Sequence, residues 1–142
     1  MGKQRTEVSK NKPYYIPKYR FLELKYYCMQ VCDYIKEFDE IDSMSKNDIS
    51  KDRVQTSDIS DPVTSAFLKK TAIRGRLSPY RLAIKKLKTL YSDEMVNMVA
   101  TGAVEDIGYD ILIARIGDVP CSKAKYYEAY HWFFYFLDKY RK

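Results

Sequence analysis

The sequence predicts an all-α fold, and three observations predict it. Apolar residues recur at helical spacing wherever the chain is patterned. No segment alternates with period two for long enough to argue a strand. Helix-start residues (Ser, Asp, Pro) and helix-stop glycines fall at the edges of the patterned segments.

Residues 1–17 read as a flexible basic arm, polar and broken by Pro13 and Pro17. A helix over 18–41 follows. Phe21, Leu24, Cys28, Val31, Ile35 and Phe38 keep a three-four spacing that aligns them on one stripe. Asp33, Glu37, Asp39, Glu40 and Asp42 make its end acidic, so an ion pair with a basic helix or a protein contact is expected there. Residues 42–61, "DSMSKNDISKDRVQTSDISD", hold too little apolar surface to offset the entropy of ordering, and read as a polar loop or linker.

Residues 62–142 form the predicted helical domain. Ser60 or Asp61 can cap its first helix, and Pro62 suits the first turn. Between Pro62 and Ser92 the chain carries eight Lys and Arg and no acid. At about 100° per residue, Ala66, Ile73, Leu77, Tyr80, Ile84, Leu87 and Tyr91 share one face. Lys70, Arg74, Arg81, Lys85 and Lys88 fall together on the adjacent one, within roughly 60°. Either one helix kinks at Pro79 or Ser78 caps a second, nearly collinear one. Surface helices usually mix signs to form i,i+4 pairs, so an acid-free stripe points to phosphate contact as well as to plain solvation.

"YSDEMVNMVATG" reads as the next helix, capped by Ser92 and ended by Gly102. Then comes a segment at about 108–141 with the pattern of a helix-turn-helix. Ile111, Ile113 and Ile116 supply apolar surface to a short first helix, with Ala114 as its small packing residue. Gly117 ends that helix, Val119 plugs the turn, and Ser122 caps the second helix. Tyr126, Ala129, Tyr130, Phe133, Leu137 and Tyr140 form its buried stripe. Lys123, Lys125, Tyr127, Glu128 and His131 are left to face outward or sideways. A plain helical hairpin shares much of this pattern. The second helix also lacks Arg, Asn and Gln between Ser122 and Phe136, the residues that most often read guanine and adenine.

The net charge is +6, from 25 Lys and Arg against 19 Asp and Glu, which favours an anionic partner. Three cysteines and a single histidine give no zinc set, no disulfide framework and no ordinary nucleophile–histidine pair. Reduced core thiols in a cytoplasmic protein are expected, with no enzyme activity, metal or cofactor. The N-terminus "MGKQRT" fits a weak myristoylation pattern, is too polar for a signal peptide, and no apolar run is long enough to span a bilayer.

"YIPKYRFLELKYYC", "SDPVTSAFLKKTAI" and "VPCSKAKYYEAYHWFFYFLDKYR" together resemble the ArpU/RinA-type late-gene transcription regulators of phages and prophages of Gram-positive bacteria. The C-terminal part of that family is similar to the helix-turn-helix of sigma-factor region 4. The resemblance covers most of the chain in layout. It implies a regulator of phage genes that binds double-stranded DNA in the host cytoplasm and touches RNA polymerase. By the same resemblance, Ile113 and Ala114 match packing positions, Val119 the turn plug, and Ser122, Lys123 and Lys125 the start of the recognition helix, followed by buried Tyr126. Glu128, Tyr130, His131 and Trp132 depart from the basic residues common there.

The candidate DNA-contacting residues are therefore Ser122, Lys123, Lys125, Tyr127 and His131 on the second helix, with Lys70, Arg74, Arg81, Lys85 and Lys88 on the basic one. A homodimer would suit two half-sites, and Trp132 with the Phe134–Phe136 run is either core or an oligomer interface. Two further readings stand beside the regulator. One is a DNA-packaging protein of the terminase small-subunit type, and the other is a phage protein that binds a host factor without DNA.

Overall fold

The computed structural model describes residues 10–51, 62–117 and 121–141, and those residues form five helices and no strand. They are α1 (Lys18–Lys51), α2 (Pro62–Leu87), α3 (Asp93–Glu105), α4 (Tyr109–Ile116) and α5 (Lys123–Tyr140). The all-α class predicted from periodicity is the class observed.

Several predicted boundaries move. α1 runs to Lys51, ten residues past its expected end at 41, into the stretch read as a loop. Once a helix is nucleated, each further residue adds a hydrogen bond at little extra cost, so a polar tail can continue it. The remainder of the expected linker, 52–61, lies outside the described residues, as do the proposed caps Ser60 and Asp61. α2 is a single helix that contains Pro79. Beside the proline, the Tyr80 amide donates to the hydroxyl of Tyr27 at 3.3 Å. Gly102 does not end α3, which continues to Glu105 and closes on Asp106 in the left-handed conformation, φ 56°. Gly102 instead permits close approach: a Cβ there would meet the Tyr126 hydroxyl at 2.1 Å.

The chain divides into two compact units, with boundaries inside α1 and α2. Unit 1 comprises residues 1–31 and 79–142, and unit 2 comprises 32–78.

Unit 1 holds an aromatic core built around α5. Phe21 of α1 lies 4.6 Å from Phe134 and 6.2 Å from Tyr130, centroid to centroid. Tyr80 meets Phe133 edge-on at 6.1 Å, and Tyr109 lies 5.6 Å from Tyr126. Polar ties close the rim. Arg20 donates to Asp138 at 2.6 Å and to the Arg141 carbonyl, while Lys25 pairs with Asp106 at 3.1 Å. Trp132 and the 134–136 run belong to this unit: Phe134 and Phe136 are buried, and Trp132 is half-buried beside Tyr14 and Phe136. That run is core, with Tyr135 at its half-exposed edge.

Unit 2 is built differently. Among its described side chains only Ile73 and Leu77 are buried. The α1 stripe loses its cover here, with Ile35 exposed and Phe38 half-buried. The two helix segments are joined instead by charge and rings. Lys70 pairs with Asp42 at 2.8 Å and lies 5.6 Å from the Phe38 ring, Arg74 lies over the same ring at 5.2 Å, and Arg76 lies over Tyr34 at 5.8 Å. The acidic end of α1 does find a basic helix, as its sequence implied.

Candidate nucleic-acid interface

The start of α5 is set by its own sequence. Ser122 is extended (φ −74°, ψ 164°), and its hydroxyl accepts the Lys125 amide at 3.3 Å, satisfying one of the free N–H groups of the first turn. Ser122, Lys123, Ala124 and Lys125 are all exposed. Lys123 approaches Asp110 at 3.5 Å, with both side chains more than half exposed, so the pair costs little to open. Lys125 is near enough to Cys121 to oppose the upward push that burial gives that thiol.

Two residues are placed otherwise than the sequence reading has them. Tyr127 and His131 do not face outward: they are 8% and 6% exposed. The cover comes from far away in the sequence. Tyr14 stacks on the His131 imidazole at 6.0 Å and 6° between planes, and Phe21 lies 5.8 Å from it. Tyr127 turns inward to accept the Tyr109 amide on its hydroxyl at 3.2 Å. Neither residue can reach a base edge from these positions.

The short helix before the turn is also rotated from expectation. Tyr109 and Leu112 are its buried residues, while Ile111, Ala114 and Ile116 are exposed. Tyr109 sets this rotation. Its amide is held by Tyr127, and its hydroxyl donates to the Cys121 carbonyl at 2.7 Å. With Tyr109 turned in, Leu112 follows one turn later, and Ala114 falls about 200° away from Leu112. The close crossing expected at Ala114 is made instead by Gly102 against Tyr126. Gly117 ends α4 as expected, with φ 84° and its amide on the Ile113 carbonyl at 2.7 Å. Val119 and Pro120 lie outside the described residues.

Around the start of α5 lies a cleft of about 540 Å3, lined by Lys12, Tyr14, Lys123, Ala124, Tyr127, Glu128 and His131. Lys12 is a contributor the motif reading did not single out, although the charge of the N-terminal arm was its signal. The end of α2 is tied to this region. The Tyr91 hydroxyl donates to Glu128 at 2.9 Å, and burial, followed by the carboxylate, pushes its pKa up. Lys88 is three residues from Tyr91, and Lys85 and Lys86 lie in the last turn of α2, all exposed. Arg81 is exposed in the same unit.

Lys70 and Arg74 are not part of this group. They belong to unit 2, where both are turned onto Phe38 of α1. The basic stripe of α2 is thus divided between two uses, one internal and one facing solvent.

Among the described residues no cluster of His, Cys, Asp or Glu could hold a metal ion, and no helix is long and apolar enough to cross a membrane. Comparison with family models, with curated proteins and with solved structures returns no match.

Proposed function

We propose that the protein is a DNA-binding transcription regulator of phage or prophage genes that meets the duplex with the start of α5. The observation that carries this reading is the gathering of exposed lysines around one capped helix start. Lys123 and Lys125 stand in its first turn, Lys12 lines the adjoining cleft, and exposed Lys85, Lys86 and Lys88 precede Tyr91 in the chain, whose hydroxyl is bonded to Glu128 of α5. Helix N-termini and lysines together suit phosphate oxygens. α4 and α5 serve in this reading as the helix-turn-helix. The burial of Tyr127 and His131 shifts its weight from base reading to phosphate contact and DNA shape. Contact with RNA polymerase belongs to the same proposal.

Fluorescence-anisotropy titrations against phage DNA fragments and random DNA, at several salt concentrations, test it. Binding should favour one fragment and fall steeply with salt. Lys123→Ala with Lys125→Ala should weaken binding by roughly tenfold or more and flatten the salt dependence by about two phosphate contacts. Unchanged affinity in that double variant removes α5 from the interface. No binding to any DNA at low salt would favour a host-protein partner, and ring-sized particles in solution would favour the packaging reading.

A further inference from the structure

Of the segment read as an N-terminal arm, residues 10–17 are described, and they are held at two points within unit 1. Ile16 is buried in the core, directly before Pro17, whose carbonyl accepts the Phe21 amide of α1 at 2.9 Å. Tyr14 is the second point. Its ring lies against two consecutive residues of α5, stacked on His131 at 6.0 Å and tilted onto Trp132 at 5.3 Å. It also lies near Tyr91, in the link between α2 and α3. Burial first, then the Glu128 carboxylate and then Tyr14 push the Tyr91 hydroxyl up. The arm, the α2–α3 link and α5 therefore meet at one ring.

The residues just ahead of Tyr14 add nothing to the core, since Lys12 and Pro13 are exposed. They are ordered all the same. The Tyr15 amide donates to the Lys12 carbonyl at 3.2 Å, closing a turn over residues 12–15 with Pro13 in its second position. Proline fixes its own φ at about −65°, so the turn holds with few other contacts. This turn carries Lys12 to the start of α5, where it lines the same cleft as Lys123, with Tyr14 and His131 in the wall. A lysine on an unanchored chain must be ordered when it meets a phosphate. One whose backbone is already fixed at the next ring loses less. We infer that Tyr14 is a positioning residue of the α5 interface: seated on His131 and Trp132, it holds Lys12 beside Lys123 as a further phosphate contact. This rests on the proposed binding of DNA. It also gives His131 a use that its burial allows, as the platform for Tyr14.

Anisotropy titration of the full-length protein with random-sequence duplex DNA, at several salt concentrations, is the test, because phosphate contacts do not depend on sequence. Lys12→Ala should weaken binding by roughly three- to tenfold and lower the salt slope by about one contact. Tyr14→Ala removes no charge and should reproduce that loss, whereas Tyr14→Phe keeps the ring and should bind as wild type does. Coupling between the two positions decides the matter. In the Tyr14→Ala background, Lys12→Ala should cost little further. Pro13→Gly leaves the packed rings alone and loosens only the link to Lys12, so the Lys12→Ala effect should shrink there too, even if Tyr14→Ala folds poorly. Without DNA, Trp132 emission should change in Tyr14→Ala and not in Lys12→Ala. Equal losses from Lys12→Ala in the wild-type, Tyr14→Ala and Pro13→Gly backgrounds, or no loss in any, would overturn the inference and leave the DNA reading in place. Unchanged Trp132 emission in Tyr14→Ala would overturn the seating itself, whatever the DNA result. A wild type that binds no DNA at low salt would overturn the DNA reading, and the role of Tyr14 with it.

Discussion

In unit 1 the helices meet through interlocked rings, with Phe21, Tyr130, Phe133 and Phe134 fully buried around α5. In unit 2 they meet through cations laid over Phe38 and Tyr34 and the Lys70–Asp42 ion pair, with only Ile73 and Leu77 buried among the described side chains. The same chain thus uses two ways of joining helices. Burial of a large apolar side chain stabilises by several kcal/mol, whereas a half-exposed cation–π contact or ion pair gives about 1 kcal/mol or less. Unit 1 therefore resists disruption and can present a fixed surface. Unit 2 is the part that can be modulated by a partner, by salt or by a single substitution.

The cysteines allow that comparison to be tested directly. Cys28 is buried in unit 1, and its pKa is driven far up by burial, opposed only in part by Arg141. Cys32, one helical turn later in unit 2, is exposed. The largest expected effect is from Phe134→Ala, which should cost about 3–5 kcal/mol. Urea melts followed by the single Trp, Trp132, should show a much lower midpoint, and Cys28 should become reactive to a thiol reagent under conditions where wild type protects it. A loss under about 1 kcal/mol would mean that the aromatic core is not what holds unit 1.

Alkali should come next. Burial pushes the Tyr126 hydroxyl up, with Tyr127 and Cys121 adding to it, and burial pushes Tyr130 well above the usual tyrosine range. In the unfolded chain both ionise near pH 10, and in the folded state they do not. The folded state therefore keeps its full advantage below pH 10 and loses it as pH rises beyond that value. Absorbance at the phenolate band should show these two ionising only as unit 1 unfolds. Ionisation of Tyr126 and Tyr130 with Trp132 emission unchanged would contradict the burial.

The smallest effect should come from unit 2. Phe38→Ala removes the ring shared by Lys70 and Arg74, at about 0.5–1 kcal/mol for each contact. Hydrogen exchange should quicken along the second half of α1, while the Trp132 midpoint stays put. If that midpoint falls by a similar amount, the two units unfold as one.

Much of this was legible in the sequence, and the misses have definite causes. Ser92 and Ser122 cap α3 and α5 as read, because capping is a local matter of one side chain and the next turn. Phe21, Leu24, Cys28 and Val31 are buried as their spacing demanded. The same spacing continues through Ile35 and Phe38, but periodicity says which face is apolar and not whether anything covers it. Tyr127 and His131 were misjudged for the converse reason: Tyr14 and Phe21, more than a hundred residues away, cover His131, and Tyr127 is turned in onto the Tyr109 amide. The signal was nonetheless present. α5 is apolar almost all the way round over Tyr126–Leu137, and a helix of that kind is usually buried on more than one side. At the candidate site, Lys123 and Lys125 could be read from the cap alone. Lys12 and the Tyr91–Glu128 tie depend on long-range packing that no local pattern encodes.

The link from Arg20 to Asp138 and the Arg141 carbonyl joins residues 118 and 121 positions apart. On the ribosome, α1 emerges before α5, and Phe21 waits for the α5 rings that cover it. Until α5 is made the nascent chain carries Phe21 without that cover, and local helix formation cannot shorten the wait. The exposure time is set by translation speed over the intervening codons. Slow decoding between α1 and α5 should therefore lower the yield of soluble protein more than slow decoding before α1.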